Sequence, residues 1–442
     1  MFQTEQERIA WTKTAPAILE RIQVPLFPDK SILIGPSDNF RLSVQTAIDT
    51  LHEEGGGRIV VAAGTYFCNG PLHLRSNIHL HFQKGAVVKF SANPVNYAPL
   101  VKVRWEGTVC YNYSPLFYSY QQKNMAITGS CILDGQADQF WHQWKKQPDG
   151  RDQDNDKIAL RQIGNDLVNE NERIFGPGFR EIMEEGILKT KGDGLQHFLR
   201  PAFIQFYECE NILLEGFTLR QSPFWSIHPV FSKNITIRNI TVQKGTTNDD
   251  GIDPDSCEDV LIENCEIDTD DDPVSIKAGR DNDAWNRGAC RNIIVRNIRA
   301  QCKVGNGFCI GSEMSGGVEN VFVENYHIVE APHGINFKCN LDRGGFIRNI
   351  FVRDVTIEKV LSCGLLFQMD YPSYRGGNYP PDFENFHLTR VRVNEAGGPG
   401  IRIAGVAEKP VRKVFLQNVQ VLKQGQKDEI QYAEEIVGYP TK

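Results

Sequence analysis

The chain has 442 residues and a formal net charge of −7, with 40% hydrophobic and 23% charged residues. This composition is that of an ordinary globular protein, and the negative net charge argues against nucleic acid as a partner. No run of about 18 apolar residues occurs, which argues against a membrane-spanning helix.

The first segment, residues 1–37, is read as an N-terminal arm, and residues 38–442 as one large domain. Within Met1–Lys13 the sequence is polar and does not resemble a signal peptide. We therefore expect a cytoplasmic protein for the chain as given. A secreted or periplasmic protein whose leader had been trimmed would have the same sequence.

Next along the chain, Val44, Ala47, Ile48 and Leu51 recur at helical spacing, which predicts a helix. The glycines at 55–57 end it. Short strand-like runs follow, separated by glycine, proline and asparagine. A helix at this place would cap the first coil of a solenoid and cover its open sheet edge.

A repeated pattern then covers most of the chain: an asparagine or a related polar residue, followed by an alternating apolar strand. From residue 211 onward the repeats lie about 23 to 36 residues apart, which is typical of solenoids. Their period-2 alternation excludes helical repeats. We therefore predict an all-β protein, a right-handed single-stranded parallel β-helix. The repeats begin at Asn124, Asn211, Asn234, Asp259, Asn292, Asn320, Asn349, Asn385 and Lys413.

The recurring asparagines suit a ladder of amide hydrogen bonds at one corner of the coils, so we read them as structural. The 11 cysteines are irregularly spaced and form no C-x-x-C pair. Several lie in or beside apolar strand-like runs, which predicts reduced, buried thiols and no disulfide framework.

An insertion at about 138–199 interrupts the repeats and contains possible helices at 158–167 and 179–187. A second irregular stretch lies at about 370–382. Excursions of this length are often lids or binding loops. A packing flap is an equal alternative for either segment.

Three carboxylates carry the chemical prediction. Asp250 and Asp271 are 21 positions apart (271 − 250), about one solenoid coil, so Asp250, Asp271 and Asp272 are expected to meet on one face. Crowded carboxylates repel, so one tends to keep its proton while another stays ionised. Hydrolysis of a glycosidic bond needs such an acid and base. A solvated acidic turn or a calcium loop is the alternative.

Four motifs in sequence order resemble those of the polygalacturonase family, the pectin-cleaving β-helix glycoside hydrolases. The family pattern is N-T-D-G, then G-D-D-C, then G-H-G, then R-I-K, and then a tyrosine. Further segments resemble the bacterial, often exo-acting branch, around Gly70, Arg104 and Gly311. The four motifs here are Asn248–Asp253, Thr269–Lys277, Gly305–Ser312 and Gly334–Lys338.

The resemblance implies the following roles. Asp271 is the general acid, and Asp250 and Asp272 hold and deprotonate the attacking water. The reaction inverts the anomeric centre, which requires an acid–base separation of about 6.5 to 9.5 Å. It implies substrate-binding roles for Asn248, for Lys338, which meets a galacturonate carboxylate, and for Tyr371, the later tyrosine. It implies neither a metal nor a cofactor.

The chain departs from the family at several positions. Asn306 stands at the family's histidine and Asn336 at its arginine, and asparagine carries neither a proton to transfer nor a charge. We keep both as substrate-binding candidates. His228 either lines the groove or packs as a structural histidine. All three carboxylates are retained, which predicts hydrolysis, whereas the departures leave open which pectic linkage is cleaved.

The expected partner is a pectic oligosaccharide or polysaccharide, with no nucleic acid and no membrane; the oligomeric state stays open. The expected enzyme is an inverting hydrolase that releases galacturonic acid or a related sugar from a chain end. Two rival interpretations remain. One is a pectate lyase-like β-helix whose aspartates bind calcium. The other is a non-catalytic glycan-binding β-helix.

Overall fold

The computed structural model describes residues 2–36, 39–146, 152–176 and 195–439. The chain forms two compact units, one of residues 23–252 and one of residues 1–22 together with 253–442. The possible helix at 179–187 lies outside the described residues. No described helix has the length and apolar character needed to cross a membrane.

Most strands in the unit of residues 23–252 are short and pair in parallel with the next coil, whereas Val101–Trp105 and Thr108–Asn112 pair antiparallel with each other. Lys123–Gly129 pairs with Ile78–Phe82 on one side and with Glu210–Glu215 on the other, and the latter pairs with Lys233–Arg238. The remaining strands of this unit are Ser31–Ile34, Gly57–Val61, Gly64–Cys68, Leu72–His73, Ala86–Phe90, Val101–Trp105, Thr108–Asn112, Phe117–Tyr120, Ile132–Asp134, Ile174–Phe175, Ile204–Tyr207, Thr218–Arg220 and Thr241–Gln243.

The predicted capping helix is confirmed as Phe40–Glu53. The side chain of Asn39 caps it by accepting a hydrogen bond from the backbone N–H of Leu42. Its apolar face, which includes the four residues that predicted the helix, is buried. Gly55 follows with a φ of 96°, a left-handed conformation that glycine adopts without strain and that ends the helix.

The unit containing residues 253–442 has longer strands, each paired in parallel with the next coil. A second, six-stranded parallel sheet runs beside them. The strands of the first sheet in this unit are Glu258–Thr269, Cys290–Cys302, Val318–Ala331, Phe346–Val360, Asp382–Ala396, Val411–Gln417, Gln420–Val421 and Ala433–Val437. The second sheet contains Ser275–Ile276, Asn306–Gly311, His333–Lys338, Leu365–Gln368, Ile401–Ala404 and Glu429–Gln431. The prediction of an all-β parallel β-helix is thus confirmed.

The N-terminal residues form three consecutive helical segments, Glu5–Ile9, a π-helical Ala10–Thr14 and Ala15–Arg21. They cover apolar side chains on the outer face of the long strands. The ring of Trp11 meets that of Phe322 edge-on at 5.4 Å between centroids. A short helix, Asp281–Ala284, follows the first strand of the second sheet.

The asparagine ladder is present in both units. Each side-chain amide donates to the side-chain oxygen of the residue at the same corner of the preceding coil. All of these residues have positive φ angles, a conformation that asparagine tolerates well. The ladder residues are Asn77, Asn124, Asn211 and Asn234 in one unit and Asp259, Asn292, Asn320, Asn349 and Asn385 in the other.

The described part of the insertion contains the helix Gln153–Asn165, which confirms the helix predicted near residues 158–167. Two 3₁₀ turns, Trp141–Lys145 and Glu170–Glu172, flank it, and a third, Pro94–Tyr97, lies earlier in the chain. All eleven cysteine side chains are buried, as predicted.

Candidate active site

The second sheet of residues 253–442 places candidate residues from successive coils in register. Parallel pairing aligns Ser275 with Cys309, and Cys309 with Asn336. On the adjoining rung, Lys338 aligns with Gln368. Because residues on a strand alternate between its two faces, aligned positions on neighbouring strands point the same way. This register brings several of the predicted site residues together.

Asp272 lies at the centre of this group and is 1% exposed. One carboxylate oxygen accepts hydrogen bonds from the backbone N–H and the side-chain amide of Asn306, at 2.8 and 2.7 Å. The other accepts from the Cys309 thiol at 3.0 Å and from the Lys338 ammonium at 2.7 Å. A carboxylate offers about four lone-pair positions. These four donors therefore hold the Asp272 carboxylate in a fixed orientation.

The charge state of Asp272 follows from these contacts. Burial raises the pKa of this carboxyl group, but the charges of Lys338 and Lys277 and the bonds from Lys338 and Cys309 outweigh burial. The net pKa is about 2, so Asp272 is ionised at neutral pH. Burial lowers the pKa of Lys338, yet the negative charge of Asp272 raises it well above its usual value. The two groups form a buried ion pair.

Tyr371 lies beside this pair, because the Lys338 ammonium sits 5.5 Å from the centre of its ring. The positive charge of Lys338 lowers the pKa of the Tyr371 hydroxyl, but burial and nearby carboxylates raise it overall. Tyr371 is therefore a neutral phenol. In the motif pattern the tyrosine follows the motif that ends at Lys338, and the two side chains lie next to each other in the structure.

Asn306 and Asn336 are joined in a chain of amides that ends on Asp272. The Asn336 amide donates to the side-chain oxygen of Asn306 at 2.7 Å, and Gln368 donates to that of Asn336 at 3.2 Å. All three amides are buried. The two asparagines that depart from the family pattern are thus bonded to each other, and Asn306 in turn bonds Asp272.

Asp271 is more exposed than its neighbour Asp272. One of its carboxylate oxygens accepts the backbone N–H of Asp272 at 3.0 Å. Its backbone carbonyl accepts the hydroxyl of Thr269 at 2.6 Å. The side chain of Asp271 is therefore the accessible member of the pair, and Asp272 is the enclosed one.

A second buried charge cluster lies next to this group. Glu313 accepts a hydrogen bond from Arg280, lies 3.5 Å from the Lys277 ammonium, and accepts the hydroxyl of Ser312 at 3.0 Å. Burial raises the pKa of Glu313, but the surrounding cations outweigh it and hold the pKa well below its usual range. Glu313 is thus a fixed anion.

Asp253 is fully buried, and neither of its carboxylate oxygens has a hydrogen-bond partner among the described residues. Burial raises its pKa well above the usual range. Lys277 lowers the pKa, while the charges of Asp272, Asp271 and Asp255 raise it further. Asp253 is accordingly a neutral carboxylic acid beside two ionisable aspartates.

In the unit of residues 23–252, Asn248–Asp250 form a turn in which Asn248 has a φ of 61°. The side-chain oxygen of Asn248 accepts a hydrogen bond from Arg200 at 2.9 Å. Asp249 accepts the backbone N–H of Gly245 at 2.6 Å. Asp250 is 3% exposed, and its backbone carbonyl accepts the N–H of Ser226 at 2.7 Å.

His228 is 1% exposed, and its Nδ1 lies 2.7 Å from the side-chain amide of Gln205. The ring meets that of Trp225 edge-on at 4.7 Å. Gln205 also bonds the backbone of Arg104 through both ends of its amide. His228 is therefore held in a packed aromatic and amide environment, as a structural histidine would be.

Three residues around the site were not predicted from the sequence. Cys309 donates to Asp272, Gln368 donates to Asn336, and Arg200 donates to Asn248. A signal existed for Gln368. Counting along the strands of the fourth motif and its successor places Gln368 on the rung next to Lys338. No such count identifies Arg200, because it follows an irregular insertion.

Comparisons with known proteins support the resemblance that the sequence motifs indicate. The model of the family described as glycosyl hydrolases family 28 matches residues 186–438. A probable polygalacturonase of Vitis vinifera is 26% identical over 405 residues, 88% of this chain and 72% of that protein. An exo-poly-alpha-D-galacturonosidase of Dickeya chrysanthemi is 23% identical over 402 residues, 84% of this chain and 62% of that protein.

Among solved structures, a hyperthermoactive exopolygalacturonase from Thermotoga maritima superimposes with a TM-score of 0.86 and 34% sequence identity. The alignment covers 96% of each chain. The two proteins therefore share their fold over almost the whole length of both chains.

Proposed function

The chain belongs to glycosyl hydrolase family 28, and from this premise we propose that it releases galacturonic acid from the end of pectin-derived chains. It is a glycoside hydrolase of the polygalacturonase type. Cleavage from a chain end is supported by the likeness to the Thermotoga maritima exopolygalacturonase along 96% of both chains.

The observation that supports this proposal most directly is the pairing of an accessible Asp271 with an enclosed, ionised Asp272. The fixed negative charge of Asp272 lies directly beside Asp271, and of two crowded carboxyl groups one tends to stay ionised while the other keeps its proton. A carboxyl group that keeps its proton is what a general acid requires. The Lys338 ammonium, which keeps Asp272 ionised, sustains this arrangement.

In the proposed reaction, Asp271 donates its proton to the glycosidic oxygen as the bond from that oxygen to the anomeric carbon breaks. A water molecule attacks the anomeric carbon from the opposite face, and a carboxylate accepts its proton. All four acceptor positions of Asp272 are occupied. We therefore assign acceptance of the water proton to Asp250, with Asp272 as the fixed negative charge. The product has inverted configuration.

Substrate recognition in this proposal uses Lys338, Tyr371 and Asn248, with Lys338 as the cation nearest the galacturonate carboxylate. Asn336 supplies no charge, so the carboxylate meets a single ammonium instead of the bidentate grip of an arginine. A neutral or substituted pectic sugar next to the cleavage point is compatible with this weaker grip.

The test is release of reducing sugar from oligogalacturonate, rhamnogalacturonan fragments and xylogalacturonan, with separation of the products by size. Monomer as the sole early product supports cleavage from the end, and a ladder of oligomers contradicts it. Proton NMR of the first product reports its anomeric configuration. Absence of turnover on every pectic substrate would overturn the proposal.

The lyase alternative predicts an unsaturated product that absorbs in the ultraviolet and whose formation requires calcium. Family membership favours hydrolysis over this alternative, and so do the four hydrogen bonds that already engage the Asp272 carboxylate. The cytoplasmic location expected from the sequence, the boundaries at residues 37 and 38, and the roles of Asn306 and His228 as substrate ligands stay predictions. A pectic polymer would be encountered outside the cytoplasm, whereas short oligosaccharides can be hydrolysed inside it.

A further inference from the structure

Arg200 donates several hydrogen bonds, and two of them reach the segment just before Asp250. The guanidinium is fully buried. It donates to the backbone carbonyl of Thr247 at 2.7 Å and to the side-chain oxygen of Asn248 at 2.9 Å. It also donates to the carbonyl of Pro223 at 2.9 Å. Two of these acceptors directly precede Asp249 and Asp250.

The same guanidinium is fixed by the inserted segment. Its Nε donates to the side-chain oxygen of Gln153 at 2.6 Å, and Gln153 is also fully buried. Gln153 is the first residue of the helix Gln153–Asn165. The described part of the insertion is thus connected, through two buried side chains, to the turn at residues 247–250.

The helix itself is anchored at several points, so it is a firm support. Arg161 pairs with Glu106 at 2.8 Å. Asp156 accepts hydrogen bonds from His197 and from the backbone N–H of Phe198. Leu160 belongs to a buried apolar cluster. Because the helix is packed at several points, it holds Gln153 in a fixed position.

The bond to Asn248 also determines which way its amide faces. Because the side-chain oxygen of Asn248 accepts from Arg200, its NH₂ group points away from Arg200. Asn248 then presents its NH₂ group as a donor on the side away from Arg200. A neutral side chain at position 200 would leave this orientation undetermined and would leave the Thr247 carbonyl without its donor.

We propose that Arg200, held by Gln153, is a positioning residue of the reaction: it fixes the 247–250 turn and orients Asn248 so that Asp250 meets the attacking water. The insertion therefore contributes to catalysis as a brace for this turn. This inference rests on the proposed function for its kinetic test, but its structural part stands independently.

The primary variant is Arg200→Lys, which keeps the charge but offers only a single ammonium in place of the fork of donors. We expect kcat on a galacturonate oligosaccharide to fall by about 100-fold, since small displacements of catalytic groups cost that much, with a smaller change in KM. Hydrogen–deuterium exchange at residues 245–251 should become faster. Gln153→Leu should change both readouts in the same direction by a smaller factor.

Arg173→Lys is the matched control. Arg173 is a buried arginine within the same insertion, and it donates to the backbone carbonyls of Val168 and Val109. It should lower the melting temperature while kcat and exchange at 245–251 stay near wild type. Equal kcat and exchange in wild type and Arg200→Lys would overturn the proposal, as would matching losses in Arg173→Lys.

If Arg200→Lys does not fold, Gln153→Leu carries the same test. Wild-type kcat and wild-type exchange at residues 245–251 in that variant would then contradict the proposal. Failure of the proposed function is recognised separately. Wild-type protein would be inactive on every pectic substrate, while the exchange measurement, which needs no substrate, would still report on the brace.

Discussion

The ammonium of Lys338 lies 2.7 Å from a carboxylate oxygen of Asp272, and the two side chains are 6% and 2% exposed. Charges this deeply buried are costly unless they are paired and fully hydrogen-bonded. Asp272 meets that condition through the additional donors Asn306 and Cys309. This ion pair therefore contributes to the stability of the coils and also sets the charge at the candidate active site.

Because the folded pKa of Asp272, about 2, lies below its ordinary value of 3.8, the ion pair stabilises the folded state above pH 3.8. That contribution is lost as pH falls from 3.8 through about 2. Lys338→Met leaves Asp272 buried without its cation, so we expect a loss of about 3 to 5 kcal/mol in the free energy of unfolding at pH 7. Denaturant unfolding at a series of pH values measures both effects.

Lys359→Met provides the control, since Lys359 pairs with Glu330 at 3.3 Å with both side chains about half exposed. An exposed pair contributes about 0 to 1 kcal/mol. Equal losses in the two variants, or a stability of Lys338→Met that falls toward pH 3 as steeply as that of wild type, would contradict the assignment of Asp272.

The division of roles among the carboxylates predicts a graded series of variants. Asp271→Asn and Asp250→Asn should each lower kcat by at least about 100-fold, as expected for loss of a general acid or base. Asp270→Asn should keep most of the activity, because Asp270 lies in the same acidic run without an assigned role. Initial rates on one oligogalacturonate, with melting temperatures, measure the series. Full activity of Asp271→Asn would remove it from the acid role.

Much of the fold was accessible from the sequence because a solenoid repeats its local signals. The asparagine at each corner and the alternating strand after it predicted the ladder from Asn211 to Asn385. The motif order also predicted the neighbours Asp272, Lys338 and Tyr371, since in-register coils bring equivalent strand positions together.

The rest depended on contacts that no local pattern specifies. Arg200 reaches the turn at 247–250 only because an insertion of irregular length returns the chain to that place. The N-terminal helices pack on strands more than 200 residues away, so residues 1–22 carried no repeat signal. Gln368 donates to Asn336, a contact between two amides that no sequence motif specifies.

The amide chain on Asp272 predicts a simple change in pH dependence. Asn306 does not titrate, so wild-type protein has no pH limb from this position. Asn306→His introduces a group with an ordinary pKa near 6.5 beside an anion, which raises that pKa. We expect kcat/KM of this variant to fall above the histidine pKa, as its charge is lost. Asn306→Ala should lower activity at all pH values without a new limb, and a limb shared by wild type would contradict this account.

Asp253 predicts a stabilising substitution. Its folded pKa is raised above 3.8, so the wild-type protein is favoured at low pH and loses stability as pH rises from 3.8 toward the folded pKa. Asp253→Asn has the shape of the neutral acid and does not ionise. We expect higher stability than wild type at pH 7 and a smaller difference at pH 3, measured by denaturant unfolding. A variant less stable than wild type at pH 7 would show that Asp253 is ionised in the folded protein.

The N-terminal helices predict a loss of stability without a loss of catalysis. Trp11 is 8% exposed, packs edge-on against Phe322 and lies 3.7 Å below the guanidinium of Arg353. Trp11→Ala should lower the free energy of unfolding by about 3 to 5 kcal/mol, while kcat per folded molecule stays at the wild-type value. Leu26→Ala, at a side chain 88% exposed, is the control and should change neither quantity. A fall in kcat for Trp11→Ala at a temperature where it is fully folded would mean that these helices also support the candidate active site.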